Sequence, residues 1–194
     1  GYGLERLGWA SKGSPTIYDA VFPEMVSHVM SAAGLTHMLD NKEYTKILAL
    51  NAKFAGLMDI SGTNLFNLRK KVAAAIDISP EKLDKMSTPV EKVYAIVDHT
   101  RCLAFMLGDC IVPSNVREGY LARLVIRRTL RMMNDFKMQD SLADLIEEQM
   151  KIIGMKKFQQ DISIVREIVD GEVVKYADTL DRGVASLAAH RAYL

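Results

Sequence analysis

Apolar residues recur along most of this chain at the three- and four-residue spacing of amphipathic helices, and no clear run alternates apolar with polar residues. Pro23 can open one helix and Gly34 can end it. Ser79 followed by Pro80 is a usual helix start, and the segment "TPVEKVYAIVD" from residue 88 predicts a further helix that begins in the same way. The pattern predicts an all-α bundle of about seven or more helices. Any short strand is confined to the extreme N-terminus.

Four other segments have the same periodicity. They are residues 41–58, 63–78, 140–153 and 159–194. The last of them contains "DGE" at 170–172, where glycine lowers helix propensity, so a break is expected there. The methionines fall mostly at apolar helical positions and predict core filling.

An arginine-rich segment follows a Pro-Ser-Asn turn in "IVPSNVREGYLARLVIRRTLRMM", residues 111–133. Asn115 with Glu118 three residues later resembles a capping box, which predicts that the helix starts at Asn115. At about 100° per residue, Arg123, Arg127 and Arg131 fall within about 80° of one another and face away from an apolar side. That apolar side includes Leu121, Val125, Ile126 and Met133.

Two interpretations of this arginine row remain open. Like charges four residues apart cost about 0.2–0.5 kcal/mol per pair, so the row needs anionic partners. Acids on neighbouring helices, such as Asp98 or Asp109, can supply them. Alternatively, the planar guanidinium groups form a phosphate-binding face.

The composition limits the function classes. Lys and Arg total 25 against 24 Asp and Glu, giving a net charge of +1, so the chain is not a generally basic nucleic-acid binder. Cys102 and Cys110 cannot form a disulfide framework, which predicts a reducing, cytoplasmic setting. Their spacing is not that of a CxxC motif, and no metal site is predicted. No apolar run is long enough to predict a membrane span.

The segment "DHTRCLAFMLGDCIVPSNVREGYLARLVIRR", residues 98–128, resembles the tRNA-recognition region of the alanyl-tRNA synthetases. Two further matches lie upstream in the family's order. "GYGLER", residues 1–6, resembles the end of motif 3 of class II synthetases, and "GSPTIYDAVF", residues 13–22, resembles the segment that follows it. The long interval between the second match and Asp98 is similar to the archaeal form.

The resemblance implies that residues 1–20 end a class II catalytic core and that residues 21–194 form a helical tRNA-recognition domain. It implies a parent enzyme that joins alanine to its tRNA with ATP and Mg²⁺, in which Gly1, Gly3 and Arg6 bind ATP. Motifs 1 and 2 do not occur, so we expect this chain to be an inactive piece of a longer enzyme with no catalytic residue of its own. Zinc is expected only in the family's editing domain, whose motifs are also missing.

The resemblance also implies that Asn115 reads a G·U wobble pair in the acceptor stem of the tRNA for alanine. The alternative is that Asn115 only caps the helix. The family's second base reader, an aspartate in a short Tyr-Asp motif that follows these helices, does not occur before Leu194. The residues expected to bind tRNA are Ser114, Asn115, Arg117, Arg123, Arg127 and Arg128.

Two other functions remain as alternatives: a helical nucleic-acid-binding module without catalysis, and a protein-interaction bundle whose arginine face meets an acidic partner. Neither needs a nucleotide-binding motif upstream. No DNA and no membrane partner is expected.

Overall fold

The computed structural model describes residues 3–39, 41–57, 65–154 and 162–191. Within these ranges the chain forms ten helices and no strand, which confirms the all-α prediction. Any strand was expected only at the extreme N-terminus, where residues 1 and 2 lie outside the described residues. The described residues that follow form a helix, which ends where Gly13, with a φ of 63°, donates its N–H to the Trp9 carbonyl. That left-handed glycine is a common helix C-terminus.

The helices cluster into two compact units, Gly1–Val97 and Asp98–Leu194. The predicted boundary after residue 20 concerns where a catalytic core ends, and it stays a prediction. The first unit contains α1 (Leu4–Lys12), α2 (Ile17–Val21), α3 (Pro23–Ala32), α4 (Thr36–Leu39), α5 (Lys42–Leu57), α6 (Leu65–Ala75) and the first part of α7 (Pro80–Gly108). The second unit contains the end of α7, then α8 (Arg117–Phe136), α9 (Leu142–Ile153) and α10 (Ile162–Arg191).

Several predicted helix boundaries are confirmed. Pro23 is the first residue of α3, and Gly34 follows its end with a φ of 71°. At the start of α7, the Ser79 hydroxyl accepts a hydrogen bond from the Lys82 N–H at 3.1 Å. Local capping chemistry is therefore sufficient to place these boundaries.

Two predicted interruptions do not occur. Pro89 lies inside α7 instead of starting a new helix. Proline has no N–H to donate to the Lys85 carbonyl one turn earlier. The next carbonyl, that of Met86, accepts a hydrogen bond from the Tyr44 hydroxyl of α5 at 2.8 Å, which ties this part of α7 to α5. The "DGE" segment at 170–172 lies inside α10, where buried Val169 and Glu172 hold both sides of Gly171.

Each unit has its own apolar core. In the first, Ile47, Val72, Ala73 and Leu83 form one buried cluster. In the second, the fully buried side chains include Leu103, Ile126, Leu145, Ile146 and Met150. Several methionines are in these cores, as expected, including Met25, Met30 and Met150. No helix in the described ranges has the length and apolar character needed to cross a bilayer.

Candidate functional site

The Pro-Ser-Asn turn is held tightly against the first turn of α8. The Ser114 N–H donates to the Gly119 carbonyl at 2.9 Å, and the Ser114 hydroxyl donates to the Val116 carbonyl at 2.9 Å. A Cβ on Gly119 would lie 2.3 Å from Ser114 Oγ and 2.4 Å from the Val112 carbonyl oxygen. Only glycine at position 119 therefore permits this close approach.

The predicted capping box at Asn115 and Glu118 is wrong. Helix α8 begins at Arg117, and its N-cap residue is Val116, which makes no side-chain cap hydrogen bond. Asn115 lies one residue before the cap, so its side chain is not used to cap the helix. Its Oδ1 instead accepts a hydrogen bond from Arg123 Nη1, and Asn115 is exposed.

The contact with Arg123 determines which way the Asn115 amide faces. A guanidinium group has only donors, so the atom that meets it must be the carbonyl oxygen and not the NH₂ group. One lone pair of that oxygen and both N–H bonds of the amide remain available. Asn115 thus presents a donor and an acceptor side by side.

Arg123 is itself fixed by Glu172 of α10. Its Nε donates to Glu172 Oε1 at 2.7 Å and its Nη2 donates to Oε2 at 3.1 Å, which is a bidentate pairing. Arg127 Nη2 reaches Oε1 at 3.3 Å, and Lys175 Nζ lies 4.0 Å from Oε2. The Glu172 side chain is only 2% exposed, against 17% for Arg123 and 31% for Arg127.

The expectation that acids on a neighbouring helix pair with the arginines is thus confirmed for Arg123 and Arg127. The partner is Glu172, however, and not Asp98 or Asp109. The apolar spacing of α10 indicates that Glu172 is buried, although the charge pattern of the sequence does not. Val165, Val169 and Glu172 follow the four- and three-residue spacing of one buried helix face, so an acid occupies a core position. A buried carboxylate requires a cationic partner.

The remaining arginines of α8 are in a different environment. Arg117, Arg128 and Arg131 are exposed, and Arg128 and Arg131 form no ion pair within the part of the chain that the structure describes. The predicted apolar side of α8 is only partly correct, because Val125, Ile126 and Met133 are buried while Leu121 is 51% exposed. The charge available to an external anion therefore lies mainly at Arg117, Arg128 and Arg131.

Below this surface, His99 of α7 contacts Thr129 of α8. His99 Nδ1 and Thr129 Oγ1 are 3.1 Å apart, and the same hydroxyl donates to the Val125 carbonyl at 2.8 Å. Because the hydroxyl proton is used there, His99 Nδ1 must be the donor, and Nε2 is the nitrogen that titrates. Burial lowers the pKa of His99, and this effect outweighs the nearby carboxylate of Asp98, which raises the pKa. The positive charge of Arg128 lowers it further. His99 is a hydrogen-bonded packing residue.

The residues expected to bind ATP lie at the start of the chain. Gly3 has a φ of 65° and precedes α1, and its carbonyl accepts a hydrogen bond from the Arg6 N–H at 2.9 Å. Arg6 is exposed. Gly1 lies outside the described residues. Of the expected site residues, the structure thus brings Ser114, Asn115 and Arg123 into one connected group, and it leaves the assignment of Gly3 and Arg6 as a prediction.

Comparison with known proteins identifies the family. The family profile described as "tRNA synthetases class II (A)" matches residues 1–194. The chain is 86% identical over 183 residues to the alanine–tRNA ligase of Methanoregula boonei, covering 94% of this chain and 20% of that protein. It is 69% identical to the alanine–tRNA ligase of Methanoculleus marisnigri, with the same coverage of each chain. It is 65% identical to that of Methanospirillum hungatei, covering 96% of this chain and 20% of that protein.

The chain therefore spans about a fifth of the length of these relatives. Its sequence-level resemblance to archaeal alanyl-tRNA synthetases is confirmed. Because the family profile covers the whole chain and several archaeal relatives match nearly all of it, this chain belongs to the class II (A) tRNA synthetases.

Proposed function

We propose that this chain is the tRNA-recognition part of an alanine–tRNA ligase and that it binds the acceptor stem at its G·U wobble pair. The parent enzyme joins alanine to its tRNA with ATP and Mg²⁺ in the cytoplasm. The observation that carries the proposal is the exposed Asn115 amide, oriented by Arg123 at the head of an arginine-rich helix.

The amide chemistry suits the minor groove of an RNA stem. A-form RNA presents base edges in a wide, shallow minor groove. In a G·U wobble pair, the guanine 2-amino group lies in that groove without its usual partner, and it needs an acceptor. Asn115 Oδ1 retains one lone pair for it, beside an amide N–H that can donate to a neighbouring acceptor on the base edge. Its pairing with Arg123 therefore leaves the amide competent to read a base.

Phosphate contacts are proposed for the arginines. Arg117 and Arg128 are exposed, so their guanidinium groups can meet phosphate oxygens. Arg123 and Arg127 remain in the proposed site, but Glu172 already engages them, so any contact with RNA uses their remaining donors. Ser114 contributes by closing the turn that carries Asn115.

The ATP-binding role belongs to the parent enzyme. Gly3 and Arg6 would contribute a close backbone approach and a cation for a phosphate, while the remainder of the pocket comes from outside this chain. When bound, ATP with Mg²⁺ activates the carboxylate of alanine. The chain by itself is not expected to carry out that step, and zinc is expected only in an editing domain of the parent.

The proposal is tested with Asn115→Ala in the longer enzyme that carries this sequence. The substitution removes the base-reading amide without removing charge, and one good base contact is worth about 1–3 kcal/mol of discrimination. We expect the preference for a G·U stem over a G·C stem, measured as a ratio of charging efficiencies, to fall by up to that amount.

Asn134→Ala is the matched control, because Asn134 is an exposed asparagine near the other end of α8. It should leave the ratio unchanged. Thermal melting of each variant separates recognition from stability. If Asn115→Ala retains the G·U preference, the base-reading assignment is wrong.

One observation favours the protein-interaction alternative. Val116, the N-cap residue of α8, and Tyr120 and Leu124 in its first half are spaced four residues apart and are 66%, 54% and 37% exposed. Such an apolar strip can bind a partner protein. Binding of the chain to acceptor-stem RNA separates the two functions, because a protein-interaction bundle has no need of it.

A further inference from the structure

We propose that Glu172, on a helix 49 residues further along the chain from Arg123, is a positioning residue for base recognition. It fixes Arg123, and Arg123 in turn fixes the Asn115 amide. This inference rests on the proposed function, since it concerns how the same site achieves its specificity. It extends that function to a residue in α10, outside the turn itself.

The contacts form one continuous path. Both oxygens of Glu172 accept from Arg123, through Nε at 2.7 Å and Nη2 at 3.1 Å. The remaining terminal nitrogen, Nη1, donates to Asn115 Oδ1. Arg123 Nη2 also lies 3.4 Å from the Pro113 carbonyl, so the guanidinium contacts the turn at two points.

The planar shape of the guanidinium makes this path directional. Its donors lie in a rigid fork, so the pairing of one edge with a carboxylate sets the direction of the other edge. Glu172 therefore determines where Nη1 points, and Nη1 determines where Asn115 Oδ1 lies. A lysine at position 123 retains the charge but has a single rotatable ammonium group, so it cannot transmit the same orientation.

The burial of Glu172 indicates more than a surface ion pair. At 2% exposure its carboxylate has little access to water and stays in place only because it is paired. Glu172 also lines a cleft of about 350 Å³ together with Val112 and Pro113 of the turn and Gly171 and Lys175 of α10. The carboxylate and the base-reading turn thus border the same cleft.

The test measures the G·U to G·C ratio of charging efficiencies for Glu172→Gln in the longer enzyme. The glutamine side chain has one acceptor oxygen, whereas the Glu172 carboxylate has two. It can therefore accept from Arg123, but it cannot form the bidentate pairing with Nε and Nη2. Loss of one base contact corresponds to about a 5- to 150-fold change in the ratio of charging efficiencies. A displaced Asn115 should lose part of that discrimination. We therefore expect the ratio to fall at least about threefold, and less than in Asn115→Ala.

A double-mutant cycle distinguishes positioning from general stability. If Glu172 acts through Asn115, then Glu172→Gln should change the ratio no further in the Asn115→Ala background. Glu147→Gln is the matched control, because Glu147 pairs with Arg166 of α10 in a similar inter-helix contact that does not involve the turn. It should leave the ratio unchanged.

Glu172→Gln leaves two partly buried arginines with a weaker partner and can fail to fold. In that case Arg123→Lys, which retains the positive charge, tests the same path and should also lower the ratio. An unchanged ratio in folded Glu172→Gln or Arg123→Lys, with a ratio that falls in Asn115→Ala, overturns this inference alone. An unchanged ratio in Asn115→Ala overturns the proposed function and this inference with it.

Discussion

Replacing Gly119 with alanine should displace the turn that carries Asn115. The added Cβ would lie 2.3 Å from Ser114 Oγ and 2.4 Å from the Val112 carbonyl oxygen, which is far inside contact distance. Rotation of the serine can relieve the first clash. The second is with backbone, so the turn itself must move, and the hydrogen bond from the Ser114 N–H to the Gly119 carbonyl must lengthen or break.

The expected loss of stability follows from three effects. Forcing an extra carbon into a packed site costs about 1–3 kcal/mol, and loss of one hydrogen bond costs about 1 kcal/mol. Alanine is favoured over glycine within a helix by about 1 kcal/mol, which offsets the second effect. We therefore expect Gly119→Ala to lower the free energy of unfolding by about 1–3 kcal/mol.

Urea unfolding of the 194-residue chain, followed by circular dichroism, measures this change. Gly183→Ala is the matched control, since Gly183 lies in α10 and a Cβ there would meet nothing within 4 Å. It should raise the free energy of unfolding by about 0.5–1 kcal/mol. The same chemical change should thus have opposite signs at the two positions. If Gly119→Ala is as stable as the unaltered chain, the turn has another conformation and the close approach is not required.

Two further predictions concern charge and pH. Arg128→Ala should weaken binding to G·U and G·C stems alike and reduce the slope of log affinity against log salt by about 0.7–0.9. Arg182→Ala, which removes an exposed arginine from α10, should leave that slope unchanged. An unchanged slope for Arg128→Ala would exclude a phosphate contact at Arg128. The pKa of His99 in the folded chain is below its unfolded value of about 6.5, so the unfolded chain binds the proton more readily. The contribution of neutral His99 to the free energy of unfolding should therefore be fully present above that pH and fall as the pH drops towards the folded pKa. Urea unfolding at a series of pH values should show this fall, and it should be smaller in His99→Gln; an equal fall in the variant would assign it to other groups.

Local chemistry was sufficient to predict many helix boundaries, but it was not sufficient to predict where a helix continues without a break. Pro23, Gly34 and Ser79 act through their own backbone or through residues three positions away, so their effects can be predicted from the sequence. Pro89 is different, because α7 continues through it. A threonine followed by proline favours a helix start whether or not a helix already runs through the pair, so neighbouring residues could not distinguish the two outcomes.

The candidate site shows the same division. The exposed turn and the arginine row could be identified from the sequence, since both depend on residues within one short segment. The pairing of Arg123 with Glu172 could not, because charge patterns do not specify which of several acids lies nearby in three dimensions. The capping prediction at Asn115 was wrong for a related reason. The Asn115 side-chain oxygen accepts a hydrogen bond from the Arg123 guanidinium, which lies outside the first helical turn, instead of from a backbone N–H.

The cluster around Glu172 has a consequence for the entropy of binding. Three cations, Arg123, Arg127 and Lys175, share the Glu172 carboxylate, and Glu167 also lines the cleft, so these five side chains carry a net charge of +1. The two arginines are also already confined to one geometry before any ligand arrives. Ordering a long side chain on association ordinarily costs about 0.5–1.5 kcal/mol. Here that loss of rotamer freedom accompanies folding, so an incoming polyanion meets excess positive charge on side chains that have little freedom left to lose.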